Sequence, residues 1–380
     1  MSSTARPAAF GPLAPPHSSV RRLVRGAGIA AGAAAGLGAA ALLYGRFVEL
    51  NRFTVRRESL AVLPPGSPDL RVLHLSDLHM IPGQRRKIEF VRSLTGLAPD
   101  LVVSTGDNFS HPEALDPLLE ALDPLLDLPG VYVPGSNCYF APQLKNPARY
   151  LWKDTSAESA AKAAAAGGHP ASLAEGQVSA SGGARRVLPF RRMHEHFDAR
   201  GWTGLVNRTD SLTVRGVRLD FSGVDDPHLG YDEHPGFAPQ AHARDPQRPS
   251  LRVGVLHAPY QRCLERFAED GAEVVFAGHT HGGQICLPGG RAVVSNCDLE
   301  PARAKGISYQ RGIMPVQVSA GLGTSRFAPV RLFCPPEAVL VTLTAARAEP
   351  PSSPSSQLPW LMSQVGIRGR RVERCLFASR

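Results

Sequence analysis

The sequence of 380 residues predicts an α/β fold with two facing mixed β-sheets flanked by helices. Short apolar runs rich in β-branched residues recur along the chain and end in glycine or polar residues, as buried strands do. Segments of helical length separate several of these runs, which favours an α/β sheet. A hydrophobic content of 43% is sufficient for one large core.

The first elements form a β-α-β unit. The pattern predicts a strand over 71–75, a helix over 84–97 and a strand over 101–104. A helix near 112–126 then leads to a strand over 131–133. Strands that alternate with helices of this length are typical of parallel sheets.

The later elements add a second set of strands. A helix around 193–199 precedes a predicted antiparallel hairpin, 212–214 and 217–221, with Gly216 in the turn. Further strands are predicted at 253–256, 274–276, 293–295, 316–319 and 339–343.

Carboxylates and imidazoles follow four of the apolar runs directly. They are Asp77 with His79, then Asp107, His257, and His279 with His281. Loops at the ends of strands can bring distant parts of a chain to one point, and these side chains suit Zn, Mn or Fe. An Asp that bridges two such sets gives two metals about 3.5–4 Å apart, as used for phosphoryl chemistry. The pattern therefore predicts a hydrolase with a dinuclear metal centre.

The order of these motifs resembles the calcineurin-like metallophosphoesterases. Asp-x-His, Gly-Asp, a Gly-Ser-Asn loop, a single His and Gly-His-x-His follow one another within residues 66–345. The last motif, Gly-His-Thr-His-Gly-Gly-Gln over 278–284, is similar to that of the bacterial membrane-associated branch. That branch includes lipid-precursor pyrophosphohydrolases.

The resemblance implies a centre of two divalent metal ions, Mn, Zn or Fe, which activate water as a hydroxide to hydrolyse phosphoester or pyrophosphate bonds. Asp107, Asn137 and His257 are the candidate catalytic residues. One metal would be held by Asp77, His79, Asp107 and His281. The other would be held by Asp107, an amide from the Ser136–Asn137 loop, His257 and His279, and Asn137 is our candidate for that amide.

The loop at Gly135-Ser136-Asn137-Cys138 departs from the family. The usual loop is Gly-Asn-His followed by an acid, in which Asn binds metal and His serves the leaving group. Without a gap, Ser136 takes the Asn place, and both the His and its acid are absent. If another residue supplies the proton, Asp225, Asp226 and His228 are candidates. His74, inside its predicted strand, is expected to be a core residue and not a ligand.

Two alternative functions remain open. One is an anion-binding module that retains metals but has little turnover, and the other is a nucleic-acid phosphodiesterase. Only the net charge of +9 favours nucleic acid, and no basic run is interleaved with aromatic residues as single-strand binders require. We therefore expect a phosphorylated small-molecule or lipid-linked substrate and no nucleic-acid partner.

An uncharged stretch, 26–45, lies between Arg25 and Arg46. About twenty apolar residues can cross a bilayer as a helix, so the stretch predicts a single membrane anchor. A cleaved export signal with its site at 39–41 and a soluble helix are the alternatives. Arginines flank both ends, so the charge bias does not define the face of the membrane on which the domain lies.

The predicted organisation places a catalytic domain at 66–345 between two attachments. A disordered basic segment, 1–25, precedes the anchor. A flexible insertion rich in Ala and Gly is predicted at 156–184. A Pro/Ser linker and a basic tail follow at 346–380.

Overall fold

The structure is a computed structural model that describes residues 17–143, 169–179, 185–242, 248–324 and 326–346. Its described part contains two six-stranded mixed sheets with helices on their outer faces. The α-helices are α1 (His17–Phe47), α2 (Arg85–Ser93), α3 (Leu115–Leu122), α4 (Ser136–Tyr139), α5 (Phe190–Ala199), α6 (Pro239–His242) and α7 (Gln261–Glu269).

The first sheet has the order β1-β16-β2-β3-β4-β7. Its strands are β1 (Thr54–Leu63), β2 (Leu70–Leu75), β3 (Leu101–Ser104), β4 (Gly130–Tyr132), β7 (Trp202–Gly204) and β16 (Glu337–Ala345). The strands from β2 to β7 are parallel, and β16 pairs antiparallel with β2.

The second sheet has the order β14-β15-β11-β10-β9-β8. Its strands are β8 (Arg208–Val214), β9 (Val217–Gly223), β10 (Ser250–Val255), β11 (Val274–Ala277), β14 (Gly306–Gln310) and β15 (Met314–Val318). Antiparallel hairpins close both edges around four parallel strands. Two short pairs lie outside the sheets, β5 (Val178–Ser179) with β6 (Arg185–Arg186) and β12 (Cys286–Leu287) with β13 (Arg291–Ala292).

The main core lies between the two sheets. Val72 and Val103 of the first sheet pack in one apolar cluster with Phe221 and Val253 of the second. Full burial of such a side chain stabilises the fold by about 1.5–3 kcal/mol. The clustering of apolar residues from both sheets confirms the predicted two-sheet fold.

Helices α2 and α7 cover the outer faces of the two sheets, each through one apolar stripe. In α7, Cys263, Leu264 and Phe267 are buried, while the remaining positions include charged residues. Residues three and four apart lie on the same face of a helix, so Leu264 and Phe267 pack together on the second sheet. In α2, Ile88 and Val91 pack in the same way on the first sheet.

Several segments differ from the sequence prediction, among them the short strands β5, β6, β7, β12 and β13, which it did not contain. The prediction contained neither β1 nor β14, because both carry polar residues along an exposed edge. The strand predicted at 293–295 is wrong. Ser295 Oγ donates to the carbonyl groups of Cys297 and Leu299, and Asn296 has φ 62°, so the chain turns there.

Helix α1 includes the uncharged stretch predicted as an anchor. The stretch 25–51, which continues past the end of α1 into a 3-10 turn, is long and apolar enough to cross a membrane, with mean hydropathy 1.7. A signal sequence near the N-terminus shares this property. The helix begins at His17, inside the segment predicted as disordered, since its alanines favour helix.

Two sequence predictions fall largely outside the described residues. Most of the predicted insertion at 156–184, and the tail after residue 346, are not described. The described segment 169–179 forms a short 3-10 turn at Pro170–Ser172 and the strand β5.

Candidate metal centre

The carboxyl ends of four parallel strands place the candidate ligands at one edge of the two sheets. Asp77 and His79 follow β2, and Asp107 follows β3, its parallel neighbour. His257 follows β10, and His279 follows β11. Strands β10 and β11 are likewise parallel neighbours. The predicted convergence of these loops is therefore present in the structure.

Asp77, His79 and His281 form one buried group able to hold a metal ion. Asp77 Oδ1 lies 3.8 Å from His79 Nε2 and 3.7 Å from His281 Nε2. Asp77 Oδ1 and His79 Nε2 have no hydrogen-bond partner among the described residues. Because buried polar atoms are normally paired, these two atoms fit a cation between them. Ser110 Oγ holds the other nitrogen, His79 Nδ1, at 2.7 Å.

Asp77, Asp107 and His257 form a second buried group of the same kind. His257 Nε2 lies 3.5 Å from Asp107 Oδ1, and His79 Nε2 lies 3.4 Å from Asp107 Oδ2. The Asp107 carboxylate therefore faces imidazoles of both groups, as a bridging ligand would.

His279 lies beside the second group. Its Nδ1 is 3.2 Å from His257 Nε2, and its Nε2 is 3.2 Å from the carbonyl oxygen of Asn296. The sequence did not identify Asn296 as a neighbour of the site. Its left-handed φ of 62° brings its backbone to the imidazole, and nothing in the local pattern marks that turn.

Backbone carbonyls orient two of the candidate ligands. His257 Nδ1 donates to the carbonyl of Thr105 at 2.7 Å, and His281 Nδ1 contacts that of Gly323 at 3.2 Å. A hydrogen bond at one ring nitrogen fixes the tautomer and directs the other nitrogen to a metal. Both imidazoles thus present Nε2 to the centre.

The loop at residues 135–138 brings Asn137 to Asp107. The Asn137 backbone N–H donates to Asp107 Oδ1 at 2.7 Å, and its side-chain Nδ2–H donates to Asp107 Oδ2 at 2.8 Å. A Cβ at Gly135 would lie 2.4 Å from Asp107 Oδ1, so only glycine permits this approach. Ser136 Oγ lies 3.4 Å from the Asn137 amide nitrogen. Asn137 is the loop side chain in contact with the centre.

Charge pairing and burial set the protonation states of the site. Burial lowers the pKa of His257, but the carboxylate of Asp107 outweighs burial and raises that pKa to about 10. Burial lowers the pKa of His279 to about 4 and that of His281 to about 3. Burial opposes ionisation of Asp107, yet His257 holds its pKa well below the usual value. His279 and His281 are therefore neutral at about pH 7, the form that binds cations, whereas His257 is protonated and would release its proton when a cation binds.

Five of the candidate ligands have left-handed backbone conformations. Non-glycine residues in this region cost of order 1–3 kcal/mol each and are concentrated at functional sites. They are Asp77 (φ 50°), His79 (φ 43°), Asp107 (φ 52°), His279 (φ 68°) and His281 (φ 51°).

His74 is a core residue, as predicted. It is fully buried, and its Nε2 lies 3.0 Å from Thr105 Oγ1. Its ring packs edge-on against Phe276 at 5.3 Å between centroids. Burial lowers its pKa to about 3.

The alternative proton donors follow β9 and approach the same edge. The His228 ring centroid lies 4.6 Å from that of His279. Burial raises the pKa of Asp226 to about 7, and its backbone neighbour Asp225 accepts a hydrogen bond from Tyr139 at 2.8 Å. Of these three residues, His228 has a ring that contacts a candidate ligand, His279.

A metallophosphoesterase has two mixed sheets, with carboxylates and imidazoles where the carboxyl ends of the strands meet. This protein has the same fold and the same kind of site. The family model of the calcineurin-like phosphoesterases matches residues 70–283. The match covers more than half of the chain, which therefore belongs to this family and is a phosphoester hydrolase.

Solved structures of low identity also match the chain. TT1561 of Thermus thermophilus is 12% identical, with 67% of this chain and 91% of that one covered and a TM-score of 0.32. Phosphopantetheinyl hydrolase from Mycobacterium tuberculosis is 12% identical. The match covers 69% of this chain and 92% of the hydrolase, with a TM-score of 0.33. Purple acid phosphatase PPD1 from yellow lupin is 12% identical. The match covers 69% of this chain and 46% of the phosphatase, with a TM-score of 0.34. No curated protein matches the sequence.

Proposed function

We propose that the protein hydrolyses phosphoester or pyrophosphate bonds with a dinuclear metal centre. The observation that carries the proposal is the position of Asp107, whose two carboxylate oxygens lie 3.4 Å from His79 Nε2 and 3.5 Å from His257 Nε2. A carboxylate can give one oxygen to each of two cations. The proposed ligands are Asp77, His79, Asp107, Asn137, His257, His279 and His281.

The chain's own groups prepare this site for phosphate. Divalent cations bound there would supply an activated water and would neutralise charge on the phosphoryl oxygens. Asp107 and Asp77 hold the negative charge that attracts such cations. The carbonyls of Thr105 and Gly323 keep two imidazoles aimed at the centre. Asn137 brings a neutral amide to the Asp107 side.

The proposed substrates have leaving groups that are weak bases. The loop carries Asn137 and Cys138 where the family carries His and an acid, so it offers no imidazole to protonate a departing oxygen. Burial raises the pKa of the Cys138 thiol to about 12, which makes it a poor acid at neutral pH. A pyrophosphate or activated ester, on a phosphorylated small molecule or a lipid-linked substrate, suits such a site.

The proposed location is the membrane, through α1 as a single anchor. Its exposed aliphatic residues include Ile29, Leu37, Leu42 and Leu43. The most apolar part of this helix is not buried against the described domain, which argues against a soluble helix that packs on it. Export followed by cleavage near 39–41 is the alternative.

Metal analysis with Asp107→Asn tests the function. We expect the parent to bind two divalent ions per chain and to hydrolyse an aryl phosphate, and the variant to lose both properties because the shared carboxylate is gone. Asp220→Asn is the matched control, since Asp220 is buried on β9 and pairs with Arg218 outside the centre.

Two outcomes would contradict the proposal. Two metals per chain in Asp107→Asn would reject the bridging role. Full metal content in the parent, without turnover of phosphomonoesters, phosphodiesters or pyrophosphates, would favour the anion-binding module instead.

A further inference from the structure

Four large apolar side chains are exposed beside the loop that carries His281. Ile285, Leu287 and Phe327 each expose 46% of their surface, and Phe333 exposes 44%. Clustered exposure of this kind marks an interaction surface more often than a scatter of single residues does. We define these four residues as the apolar patch.

Backbone hydrogen bonds join the two segments of the patch. Cys286 N–H donates to the carbonyl of Leu332 at 2.9 Å, and Leu332 N–H donates to that of Gln284 at 3.0 Å. The side-chain amide of Gln284 also donates to the carbonyl of Ala328 at 2.7 Å. The segments 284–287 and 327–333 therefore lie side by side in the fold.

The same surface is fixed to the end of α1. Arg331 N–H donates to the carbonyl of Gly45 at 3.3 Å. A Cβ at Gly45 would lie 2.6 Å from the carbonyl oxygen of Arg331, so glycine permits the close approach. Glu49, just after α1, accepts a hydrogen bond from the Cys334 N–H. The long apolar helix thus ends against the segment that carries Phe333.

The charge of this region suits an anionic lipid surface. Neither 284–292 nor 326–336 contains an acidic residue. Arg46, Arg291 and Arg326 are exposed around the patch. Apolar side chains flanked by basic residues are typical of segments that lie in the headgroup region of a bilayer.

We propose that the apolar patch rests on the bilayer surface where α1 leaves it, so that the membrane holds the catalytic domain at two places. The inference rests on the proposed anchoring by α1 and adds a second contact to it. A helix that spans a bilayer emerges at headgroup level, and the bond between Gly45 and Arg331 keeps the patch at that level. The His281 loop then lies next to the lipid surface.

Tryptophan quenching in the full-length chain tests the proposal. The chain is reconstituted in phosphatidylcholine–phosphatidylglycerol vesicles with or without bromine on the acyl chains near the headgroup. Phe333→Trp and Ile285→Trp report on the patch. Ile313→Trp is the matched control, because Ile313 is 76% exposed in the β14–β15 turn, at the opposite end of the second sheet from His279.

We expect the fluorescence that each patch tryptophan adds to the parent signal to be lost in brominated vesicles. The fluorescence added at position 313 should stay the same. Patch tryptophans that are no more quenched than the control would overturn the proposal, as would failure of the full-length chain to bind the vesicles.

A measurement of oligomeric state distinguishes a bilayer from a second copy of the chain as the occupant of the patch. A hydrolysis assay distinguishes failure of the patch proposal from failure of the proposed function. A second copy as occupant would give a dimer that Ile285→Ser and Phe333→Ser dissociate, without quenching, and this result would reject the bilayer. Hydrolysis of p-nitrophenyl phosphate is measured in the same vesicles. Quenching without hydrolysis would overturn the proposed function and support the patch, whereas hydrolysis without quenching would reject the patch alone.

Discussion

Asn137 and Ser136 compete for one ligand position, and their contacts differ. Asn137 Nδ2–H donates to Asp107 Oδ2 at 2.8 Å, which brings this side chain to the centre, whereas Ser136 Oγ only accepts from the same nitrogen at 3.4 Å. An amide oxygen is a usable neutral ligand, and a hydroxyl is a weak one unless it loses its proton. We expect Asn137→Ala to lower metal affinity by about tenfold or more, within the range seen when partners in metal sites are removed.

Titration calorimetry of metal-free Asn137→Ala and Ser136→Ala measures this difference. Ser136→Ala is the control, since it removes a polar atom from the same loop. A larger loss of affinity in Ser136→Ala would support the ungapped alignment with the family loop.

The missing histidine predicts a steep dependence of rate on the leaving group. A positioned proton donor typically contributes about 10²–10⁴ in rate, and this help matters most for strongly basic leaving groups. Aryl phosphates and pyrophosphates should therefore be hydrolysed much faster than alkyl phosphates. The double variant Asn137→His with Cys138→Asp should raise the rate on alkyl phosphates more than the rate on aryl phosphates. The N–H groups of Asn108 already donate to the Cys138 sulfur and could bind a carboxylate at that position.

Rates plotted against leaving-group pKa test this prediction. A flat plot for the natural protein would indicate that a proton donor is present, and His228→Ala would then identify it if the plot becomes steep. His228 is the residue to replace because its ring contacts His279.

Six of the seven proposed ligands could be located from the sequence because each follows an apolar strand or a ligand motif. The seventh, Asn137, was preferred to Ser136 only for its amide, since a shift of one residue in the loop exchanges the two, and it stays a prediction. The groups that orient His257 and His281 were not predictable. They are backbone carbonyls of Thr105 and Gly323, which every residue type carries.

At the scale of elements, the segment after residue 326 is fixed by one buried arginine. The Arg331 guanidinium is fully buried and donates to the carbonyls of Ala320 and Gly323, each at 2.6 Å. A buried acceptor left without a partner costs about 1–3 kcal/mol. We therefore expect Arg331→Met to lower the free energy of unfolding by about 3 kcal/mol or more.

Urea unfolding of the parent and the variant gives this difference. Arg326→Met is the matched control, because Arg326 is exposed, and it should change stability little. Equal effects of the two substitutions would contradict the structural role of Arg331.

Strand β1 extends the first sheet beyond the domain start predicted at residue 66. It pairs in parallel with β16 from Thr54 to Leu63, and it buries Leu60 and Leu63. A chain that begins at Pro64 would lose that burial, about 1.5–3 kcal/mol for each leucine, and would expose the edge of β16. We expect it to unfold at lower urea concentration than a chain that begins at Arg52, and to aggregate more.

Denaturation midpoints and light scattering of the two shortened chains measure this prediction. Equal midpoints would show that β1 contributes nothing to the stability of the sheet. The sequence did not reveal β1 because its charged residues interrupt the apolar alternation that marks a half-buried strand.

At the scale of the whole molecule, buried histidines predict acid sensitivity of the metal-free protein. Burial lowers the pKa to about 3 in His74 and His281, and to about 4 in His194 and His279. The unfolded chain binds these protons near pH 6.5 and the native state does not. The contribution of these four histidines to stability is therefore complete above about pH 6.5 and falls below it by about 1.4 kcal/mol per pH unit for each histidine.

Unfolding free energies of chelator-treated protein between about pH 7 and pH 5 test the slope. His74→Leu should reduce the slope by one histidine's share, since His74 lies outside the proposed ligand set. His257 acts in the opposite sense at higher pH, because its pKa is raised to about 10, and its contribution is lost as the pH rises through that value. A slope that His74→Leu leaves unchanged would contradict the assignment.

Selection for thermal stability would act against catalysis in this protein. The reason is the left-handed backbone at five candidate ligands, Asp77, His79, Asp107, His279 and His281. Glycine adopts that conformation without steric cost, so Asp107→Gly would relax the chain while it removes the proposed bridging carboxylate. A library screened only for heat resistance should therefore enrich inactive glycine variants at these positions. Thermostable and working enzymes can be obtained together only when each round of screening also demands hydrolysis.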